Sequence, residues 1–285
     1  MDYICFDIGG TWIKYGILND EYKILEKDQI ATEANLGGKQ ILDKLVSLIT
    51  TYKQKYRLNG VAISTAGVVN QKNGVILYAN DIIPNYTGLE VSKIIEEKTA
   101  LKTSVENDVN CFALSHILLN NKDYLMLTIG TGIGGAIVIN KQVYHGISNS
   151  AGEFGQMIIN CTKFENLASL SALVRVGKKL GLDVNNGLDV FNLYDNNNQL
   201  AKKALNYFYK NLATGLLNLA YIFNFPTIFL GGGITNRKTF LDELMIEIER
   251  IADYAYYKSK ILISPNTNDG GLIGALVHFN NIYID

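Results

Sequence analysis

Two segments of this chain, residues 4–18 and 125–139, are built alike: each reads as a strand, a glycine-rich loop and a second strand. In each, twelve residues separate a polar strand residue, Asp7 or Thr128, from the closing turn. Glycines between antiparallel strands allow bare backbone N–H groups to approach an anion. The repeat therefore predicts a duplicated fold whose two loops grip one polyphosphate, as in an ATP-using phosphotransferase.

The length of 285 residues fits two domains of roughly 100 to 150 residues each. Apolar residues make up 48% and charged residues 19% of the chain, which is typical of a globular protein with a good core. We predict an α/β fold with an N-terminal domain over residues 1–118 and a C-terminal domain over 119–285, around a central cleft. Whether the last helix packs back on the N-terminal domain stays open.

The formal net charge of −1, without a basic run, predicts no partner among nucleic acids or anionic membranes. No apolar run reaches the length of a membrane span. Three widely spaced cysteines, Cys5, Cys111 and Cys161, fit neither a disulfide framework nor paired zinc ligands. The N-terminus opens on a strand rather than on a signal peptide. We therefore expect a cytoplasmic protein with a small-molecule partner.

Apolar spacing predicts helices and strands that alternate after the first hairpin. The predicted helices are residues 38–56, 89–98, one from about 109, 167–180, 201–223, 238–255 and 271–279. The predicted strands are residues 61–64, 104–106, 124–129, 227–230 and 261–263, with a short hairpin around 72–74. Helices that alternate with strands favour parallel sheets.

Asp7 ends a buried strand immediately before the first glycine loop. A carboxylate at this position can hold Mg²⁺, directly or through water, near a transferred phosphate, or it can cap the turn. Thr11 can bond a phosphate or its own turn. Lys14 can face the same phosphate or be solvated.

Asp108 lies where a strand meets a helix, at or near the helix N-cap, so capping is its simplest role. A carboxylate at the carboxyl end of a strand is also well placed to take a proton from an attacking hydroxyl. Phosphoryl transfer needs one such residue besides positioning and charge neutralisation. We therefore predict that Asp108 is a catalytic base.

A polar stretch with several glycines, residues 146–156, follows the second hairpin, and such loops commonly cover a site. Within it, Glu153 favours the recognition of hydroxyl groups. Glu165 begins an apolar helix and can instead complement the helix dipole. The histidines have no partner at ligand spacing, and we assign catalysis to none of them: His116, His145 and His278.

The glycine run at residues 231–233 follows an apolar strand and permits close backbone approach by the adenosine part of a nucleotide. It is too short for a dinucleotide fingerprint, and the earlier glycine loops do not lead into a helix. A dehydrogenase is therefore disfavoured.

The motifs together resemble those of the ROK family of sugar kinases and sugar-responsive repressors, across essentially the whole chain. They stand in the family order at residues 7–11, 106–110, 127–135, 151–155 and 231–234. The resemblance implies an actin-like, hexokinase-type fold of two duplicated domains that closes over Mg·ATP and a sugar. It also implies a homodimer.

The resemblance assigns residues to both substrates. The implied sugar-binding residues are Gly67, Asn80, Asn107, Asp108, Glu153, Gln156 and Glu165. The implied nucleotide-binding residues are Asp7, Gly9, Gly10, Thr11, Lys14, Gly130, Thr131, Gly132, Gly134, Gly232 and Gly233, with Asp7 also on Mg²⁺.

The sequence departs from the family pattern twice. Gln156 replaces the usual histidine, which leaves the choice of sugar open, and only Cys161 remains of a cysteine cluster before Glu165, so we expect no structural zinc. The overall likeness is to zinc-less β-glucoside kinases of Gram-positive bacteria and also to zinc-less N-acetylmannosamine kinases.

We therefore predict an ATP:sugar phosphotransferase that phosphorylates the 6-hydroxyl of a hexose or a β-glucoside, with N-acetylmannosamine as the alternative substrate. A regulator that senses sugar without its DNA-binding domain is an alternative of another class, since only six residues precede Asp7 and leave no room for a helix-turn-helix. A third alternative, an actin-like ATPase or scaffold, should lack Glu153 and Glu165.

Overall fold

The computed structural model describes residues 1–79, 83–119, 122–253, 256–265 and 268–284. The chain forms two compact units, and each unit is assembled from separate stretches of sequence. The first unit comprises Met1–Asn121, Lys141–Ala151 and Asn268–Asp285, and the second comprises Lys122–Asn140 and Gly152–Thr267. In the described part of the chain, no helix is both long and apolar enough to cross a bilayer.

Strands and helices alternate along much of the chain. The strands are β1 (Asp2–Ile8), β2 (Trp12–Asn19), β3 (Ile24–Ala31), β4 (Leu58–Thr65), β5 (Val68–Asn70), β6 (Val75–Tyr78), β7 (Thr103–Asn107), β8 (Tyr124–Ile129), β9 (Ile133–Ile139), β10 (Gln142–Val143), β11 (Ile158–Ile159), β12 (Thr162–Lys163), β13 (Thr227–Gly231) and β14 (Lys260–Ile263). The α-helices are α1 (Gly38–Tyr52), α2 (Val91–Thr99), α3 (Asp108–Leu114), α4 (Glu165–Ala168), α5 (Leu170–Lys179), α6 (Gly187–Asp195), α7 (Gln199–Phe223), α8 (Phe240–Ile251) and α9 (Gly270–Tyr283).

The main sheet of the first unit has the strand order β3-β2-β1-β4-β7. Strand β1 runs antiparallel to β2 and parallel to β4, and β7 continues the sheet parallel to β4. Side chains of β1 alternate between two cores, because successive strand residues point to opposite faces. Ile4 and Phe6 pack in a cluster with α1, whereas Tyr3 and Cys5 pack in a cluster with α9. The sheet is therefore covered by helices on both faces.

Helix α9 approaches α3 very closely in the first unit. A Cβ atom on Gly274 would collide with the Cys111 carbonyl group, and one on Gly270 would meet the Phe112 ring at 2.5 Å. Glycine at these positions is thus required by the packing of the two helices.

The second unit repeats the topology of the first. Its strands follow the order β9-β8-β13-β14, with β8 antiparallel to β9 and parallel to β13, which is parallel to β14. These strands correspond in order and direction to β2, β1, β4 and β7. The predicted duplication of an α/β fold is therefore confirmed.

Several predicted elements differ from the observed ones. The single helix predicted over residues 167–180 is divided at Ser169, whose extended backbone ends α4 and whose side chain caps α5. Helix α1 ends at Tyr52 rather than at 56, and α8 spans Phe240–Ile251 rather than 238–255. Strand β3 and helix α6 were not predicted. Charged residues at successive positions of β3 hide its strand periodicity.

Candidate active site

Asp7 lies at the end of β1, directly opposite Lys14 in the β1–β2 register. Ser64 of the neighbouring strand β4 donates a hydrogen bond from Oγ to Asp7 Oδ1 over 2.7 Å. On the α9 side, a Cβ atom on Gly271 would lie 2.5 Å from Asp7 Cγ. Desolvation raises the pKa of Asp7, although the Ser64 hydroxyl and the Lys14 charge act to lower it. The carboxylate is thus positioned on three sides, in a site that disfavours its charge.

The first glycine loop, which follows Asp7, is held by its own turn and by Thr32. Gly9 N–H donates to Trp12 O over 3.0 Å. Thr32 donates two hydrogen bonds to the loop, from Oγ1 to Gly9 O and from N–H to Thr11 O. Gly10 and Thr11 are exposed. Thr32 was missed by sequence reasoning because it lies 23 residues from Gly9 in the chain.

Lys14 is half-buried and donates from Nζ to Asn268 O over 3.2 Å. Its ammonium group is therefore partly engaged by the segment that precedes α9, rather than being simply solvated.

Asn107, not Asp108, caps α3. Its side-chain Oδ1 accepts hydrogen bonds from Val109 N–H and Asn110 N–H, and Asp108 is the first residue of the helix. Asn107 Nδ2 also donates to Gly67 O over 2.9 Å, so two predicted sugar-side residues are in contact. Asp108 Oδ1 also accepts a hydrogen bond from Val109 N–H over 2.9 Å, but the residue at the N-cap position is Asn107.

Gly67 has a positive φ of 101°, and a Cβ atom there would lie 2.6 Å from Tyr78 O. Both features require glycine at this position. Asn80, the other predicted residue of this segment, lies outside the described residues.

In the second unit, the glycine loop between β8 and β9 is fixed by two backbone hydrogen bonds. Gly130 N–H donates to Gly132 O over 3.0 Å, and Leu170 N–H, at the start of α5, donates to Gly130 O over 2.8 Å. Thr131 is exposed, and Gly134 is half-buried in β9. Gly232, with a φ of 89°, lies against the backbone of Ile129. The second glycine loop and the 231–233 run are therefore adjacent.

The predicted sugar-side residues of the second unit form one group beside this loop. Gln156 Nε2 donates to Glu165 Oε1 over 3.0 Å. A Cβ atom on Gly132 would lie 2.9 Å from Glu165 Oε2. Glu153 is accessible to solvent, yet desolvation by the surrounding protein, together with repulsion from Glu165, raises its pKa. Glu165 thus contacts both Gln156 and the glycine loop. A favourable interaction with the dipole of the four-residue helix α4 is therefore not its only role.

A cavity of about 600 Å³ lies next to Gly233 in the second unit. Most of its walls come from α6 and from the segment before α8: Asn186, Gly187, Leu188, Phe191, Asn192, Asp195, Ile234, Asn236, Arg237, Lys238 and Thr239, with Leu170 and Gly233 completing the lining. This volume and this mixture of apolar and polar groups suit a nucleoside. Sequence reasoning found only the glycines, because α6 was not predicted.

Arg237 joins the walls of this cavity. Its guanidinium group pairs with Asp195 of α6 at 2.8 Å and with Glu243 of α8 at 2.6 Å, and it stacks on the Phe191 ring at 4.7 Å. These interactions hold α6 against the start of α8.

The sequence matches the ROK family model over residues 3–281. The chain belongs to the ROK family. The match confirms the family predicted from the motifs.

Relatives of this ROK chain include a β-glucoside kinase of Klebsiella pneumoniae, 33% identical over 99% of this chain and 97% of the relative. A solved Listeria monocytogenes structure, described as a candidate N-acetylmannosamine kinase, has a TM-score of 0.89, 31% identity and 99% coverage of both chains. A Streptococcus pneumoniae ROK family protein, solved in complex with sucrose, has a TM-score of 0.87 and 31% identity, with 99% of this chain and 98% of that chain covered.

These ROK likenesses confirm the predicted actin-like, hexokinase-type fold. In this ROK chain, the first unit contains Asp7, the first glycine loop, Gly67, Asn107 and Asp108. The second unit contains the other glycine loop, the Glu153–Gln156–Glu165 group and the cavity. Among the described residues, no group of three or more His, Cys, Asp or Glu is arranged to hold a metal ion.

Proposed function

We propose that this ROK protein is an ATP-dependent sugar kinase that phosphorylates the 6-hydroxyl of a hexose or β-glucoside, with Asp108 as the general base. The observation that carries the proposal is the capping of α3 by Asn107. Since Asn107 satisfies the first N–H groups of the helix, the Asp108 carboxylate is not required as the cap. The capping residue also contacts Gly67, on the predicted sugar side.

In the proposed reaction, the 6-hydroxyl oxygen attacks the γ-phosphorus of ATP and the bond to the ADP oxygen breaks. Asp108 takes the hydroxyl proton as the new O–P bond forms. The two glycine loops bind the phosphates through backbone N–H groups, and the cavity beside Gly233 holds the nucleoside.

Asp7 would hold Mg²⁺, directly or through water. The fit rests on donor chemistry, because Mg²⁺ prefers oxygen ligands and commonly uses one or two carboxylates together with substrate phosphates. Asp7 offers such a carboxylate in a desolvated setting that a cation would favour. When bound, the ion neutralises charge on the phosphates.

The Glu153–Gln156–Glu165 group supports a hydroxyl-rich sugar. Gln156 donates its amide N–H to Glu165, so its carbonyl oxygen is left to accept, as the two carboxylates do. Acceptors of this kind suit hydroxyl donors better than the carbonyl of an acetamido group. The β-glucoside kinase and the sucrose-bound relative support a glycoside substrate.

N-Acetylmannosamine is the second candidate substrate, because the Listeria monocytogenes relative is described in those terms. By family likeness we also propose a homodimer, and from the three unpaired cysteines a cytoplasmic location.

A coupled ADP-release assay with Mg·ATP tests the proposal. The panel is glucose, cellobiose, methyl β-glucoside, N-acetylmannosamine, N-acetylglucosamine, mannose and fructose. We expect turnover with glucose or a β-glucoside, and a decrease of about 10²- to 10⁴-fold in kcat for Asp108→Asn, with sugar binding retained by calorimetry. Asp43→Asn, which removes an exposed charge paired with Lys98, is the control.

Undiminished kcat in Asp108→Asn would exclude it as the base. Sugar binding without turnover on the whole panel would favour a regulator, and ATP hydrolysis without sugar binding would favour a scaffold ATPase.

A further inference from the structure

Glu106 is a carboxylate with 0% exposure that immediately precedes Asn107 and Asp108. Its Oε1 accepts a hydrogen bond from Asn107 N–H over 2.7 Å and another from Asn110 Nδ2 over 3.0 Å. These bonds join the end of β7 to the first turn of α3. The orientation of the Asp108 backbone therefore depends on where the Glu106 carboxylate lies.

The other oxygen of Glu106 is bonded by a distant part of the chain. His145 Nε2 lies 2.6 Å from Glu106 Oε2, although the two residues are 39 positions apart in sequence. Since an ionised carboxylate only accepts hydrogen bonds, His145 Nε2 is the donor. The His145 side chain is 18% exposed and lies in the Lys141–Ala151 stretch of the first unit.

A fully buried carboxylate is costly unless close partners compensate for the lost hydration. Desolvation acts to raise the pKa of Glu106, but His278, His145 and Asn110 outweigh it, and the pKa is lowered. The ionised form is therefore the one that these neighbours stabilise.

His278 is a poor substitute for His145. Its Nδ1 lies 3.6 Å from Glu106 Oε2, beyond hydrogen-bond distance, and its Nε2 has no partner among the described residues. Burial lowers the pKa of His278, although the Glu106 charge acts to raise it. Without His145, Oε2 would lose its close donor.

We propose that His145 and Glu106 are positioning residues for phosphoryl transfer: their pair holds the β7–α3 junction so that Asp108 stays aligned with the sugar hydroxyl. The proposal rests on the role of Asp108 proposed above. Neither residue contacts a reacting atom in this scheme. Their effect is on where the base lies, and so on kcat rather than on substrate affinity.

Three variants test the kinetic part: His145→Leu, His145→Gln and His116→Leu. Leucine removes the donor at similar volume, whereas the glutamine amide can place an N–H near the Nε2 position. His116 is the control, because it lies in the first unit, is more deeply buried than His145, and has its Nδ1 3.0 Å from Phe112 O, away from Glu106.

For His145→Leu we expect kcat to fall at least tenfold with both KM values within about threefold of wild type, measured well below each melting temperature. His145→Gln should recover most of kcat. His116→Leu should lower the melting temperature without that loss of kcat. Wild-type kcat in His145→Leu, or an equal loss in His116→Leu, would overturn the proposal.

The hydrogen bond between His145 and Glu106 can be detected without an activity assay, by ¹H–¹⁵N NMR of the histidine side chains. A downfield Nε2–H signal of His145 should be present in the wild type and lost in Glu106→Gln. Absence of that signal in the wild type would refute the hydrogen bond between His145 and Glu106, even if Asp108 is essential for turnover. Full activity in Asp108→Asn would instead refute the proposed role of Asp108 as the base, and it would not affect the NMR evidence for the Glu106–His145 hydrogen bond.

Discussion

At the scale of single residues, Glu153 is a carboxylate whose surroundings oppose its charge. Desolvation and the nearby Glu165 raise its pKa above the ordinary value of 4.5. A folded-state pKa above the unfolded value means that the stability contribution is present at low pH and is lost as pH rises through the folded pKa. Ionised Glu153 therefore costs stability at neutral pH, which is a common property of binding residues.

Glu153→Gln should accordingly raise the melting temperature at pH 7 to 8 and lower kcat/KM for the sugar by about 10- to 100-fold, because a charged hydrogen-bond acceptor is lost. In the wild type, kcat/KM should fall as pH drops through the raised pKa, and this acidic limb should be absent in the variant. Melting curves and pH profiles measure both effects. A lower melting temperature in the variant at neutral pH would contradict the assignment.

Gly271 allows α9 to begin directly beside Asp7. In Gly271→Ala, the new methyl group would displace the Asp7 carboxylate, and we expect the Mg²⁺ concentration for half-maximal rate to rise at least several-fold. Alanine is a better helix former than glycine by about 1 kcal/mol, so the helix itself should not be weakened. Mg²⁺ titrations of the rate, with melting temperature as a check, test this. An unchanged Mg²⁺ requirement would place the ion elsewhere.

At this scale the sequence indicated which residues belong to the site, but not which other residues they contact. The run at 106–110 marked a strand-to-helix junction, but only the structure shows that Asn107 is the cap. The Glu106–His145 contact has no local signal, since residues 39 apart are brought together by tertiary folding alone. For this reason sequence reasoning offered no ground to assign a part in catalysis to His145.

At the scale of elements, helix α6 makes the largest difference between the predicted and observed site. It begins with a capping box formed by Asn186 and Asp189, a pattern visible in the sequence. Its nine residues are too few for a clear helical period, so the capping box is the main local signal for this helix. Because α6 forms a wall of the cavity beside Gly233, a site predicted without this helix lacks the residues that α6 contributes to the proposed nucleoside site.

Arg237→Lys should loosen that wall, because lysine cannot pair in the same bidentate way or stack similarly on Phe191. We expect KM for ATP to rise about 5- to 20-fold with KM for the sugar unchanged. Arg250→Lys is the control: Arg250 lies near the end of α8 and its exposed guanidinium group pairs with Glu247, an interaction that should contribute little. Equal ATP KM values for the two variants would argue against a nucleoside in this cavity.

At the scale of the whole molecule, the glycine loops predicted the repeated topology correctly. Two antiparallel hairpins, each continued by parallel strands, followed from hydrophobic runs and turn residues alone. What the sequence pattern did not reveal is that each unit is assembled from separate stretches. Such pairing depends on long-range packing, as between Phe279 of α9 and Tyr3 of β1, whose rings are 5.3 Å apart.

A fragment of residues 1–121 should therefore not fold, because it lacks α9 and exposes the apolar face that contains Tyr3 and Cys5. We expect a disordered circular dichroism spectrum and aggregation. Joining residues 268–285 to the fragment through a flexible linker should restore helical signal and a cooperative melt. A cooperative melt of residues 1–121 alone would show that α9 is dispensable.

The separate stretches of the first unit also fix the order in which a ribosome can complete the molecule. Every residue of the second unit emerges before α9 does. The first unit is therefore started first and completed last. During translation one face of its sheet stays uncovered until α9 is made, whereas all residues of the second unit are already available to fold. Nascent chains stalled before residue 268 should consequently be the form of this protein that most needs a chaperone.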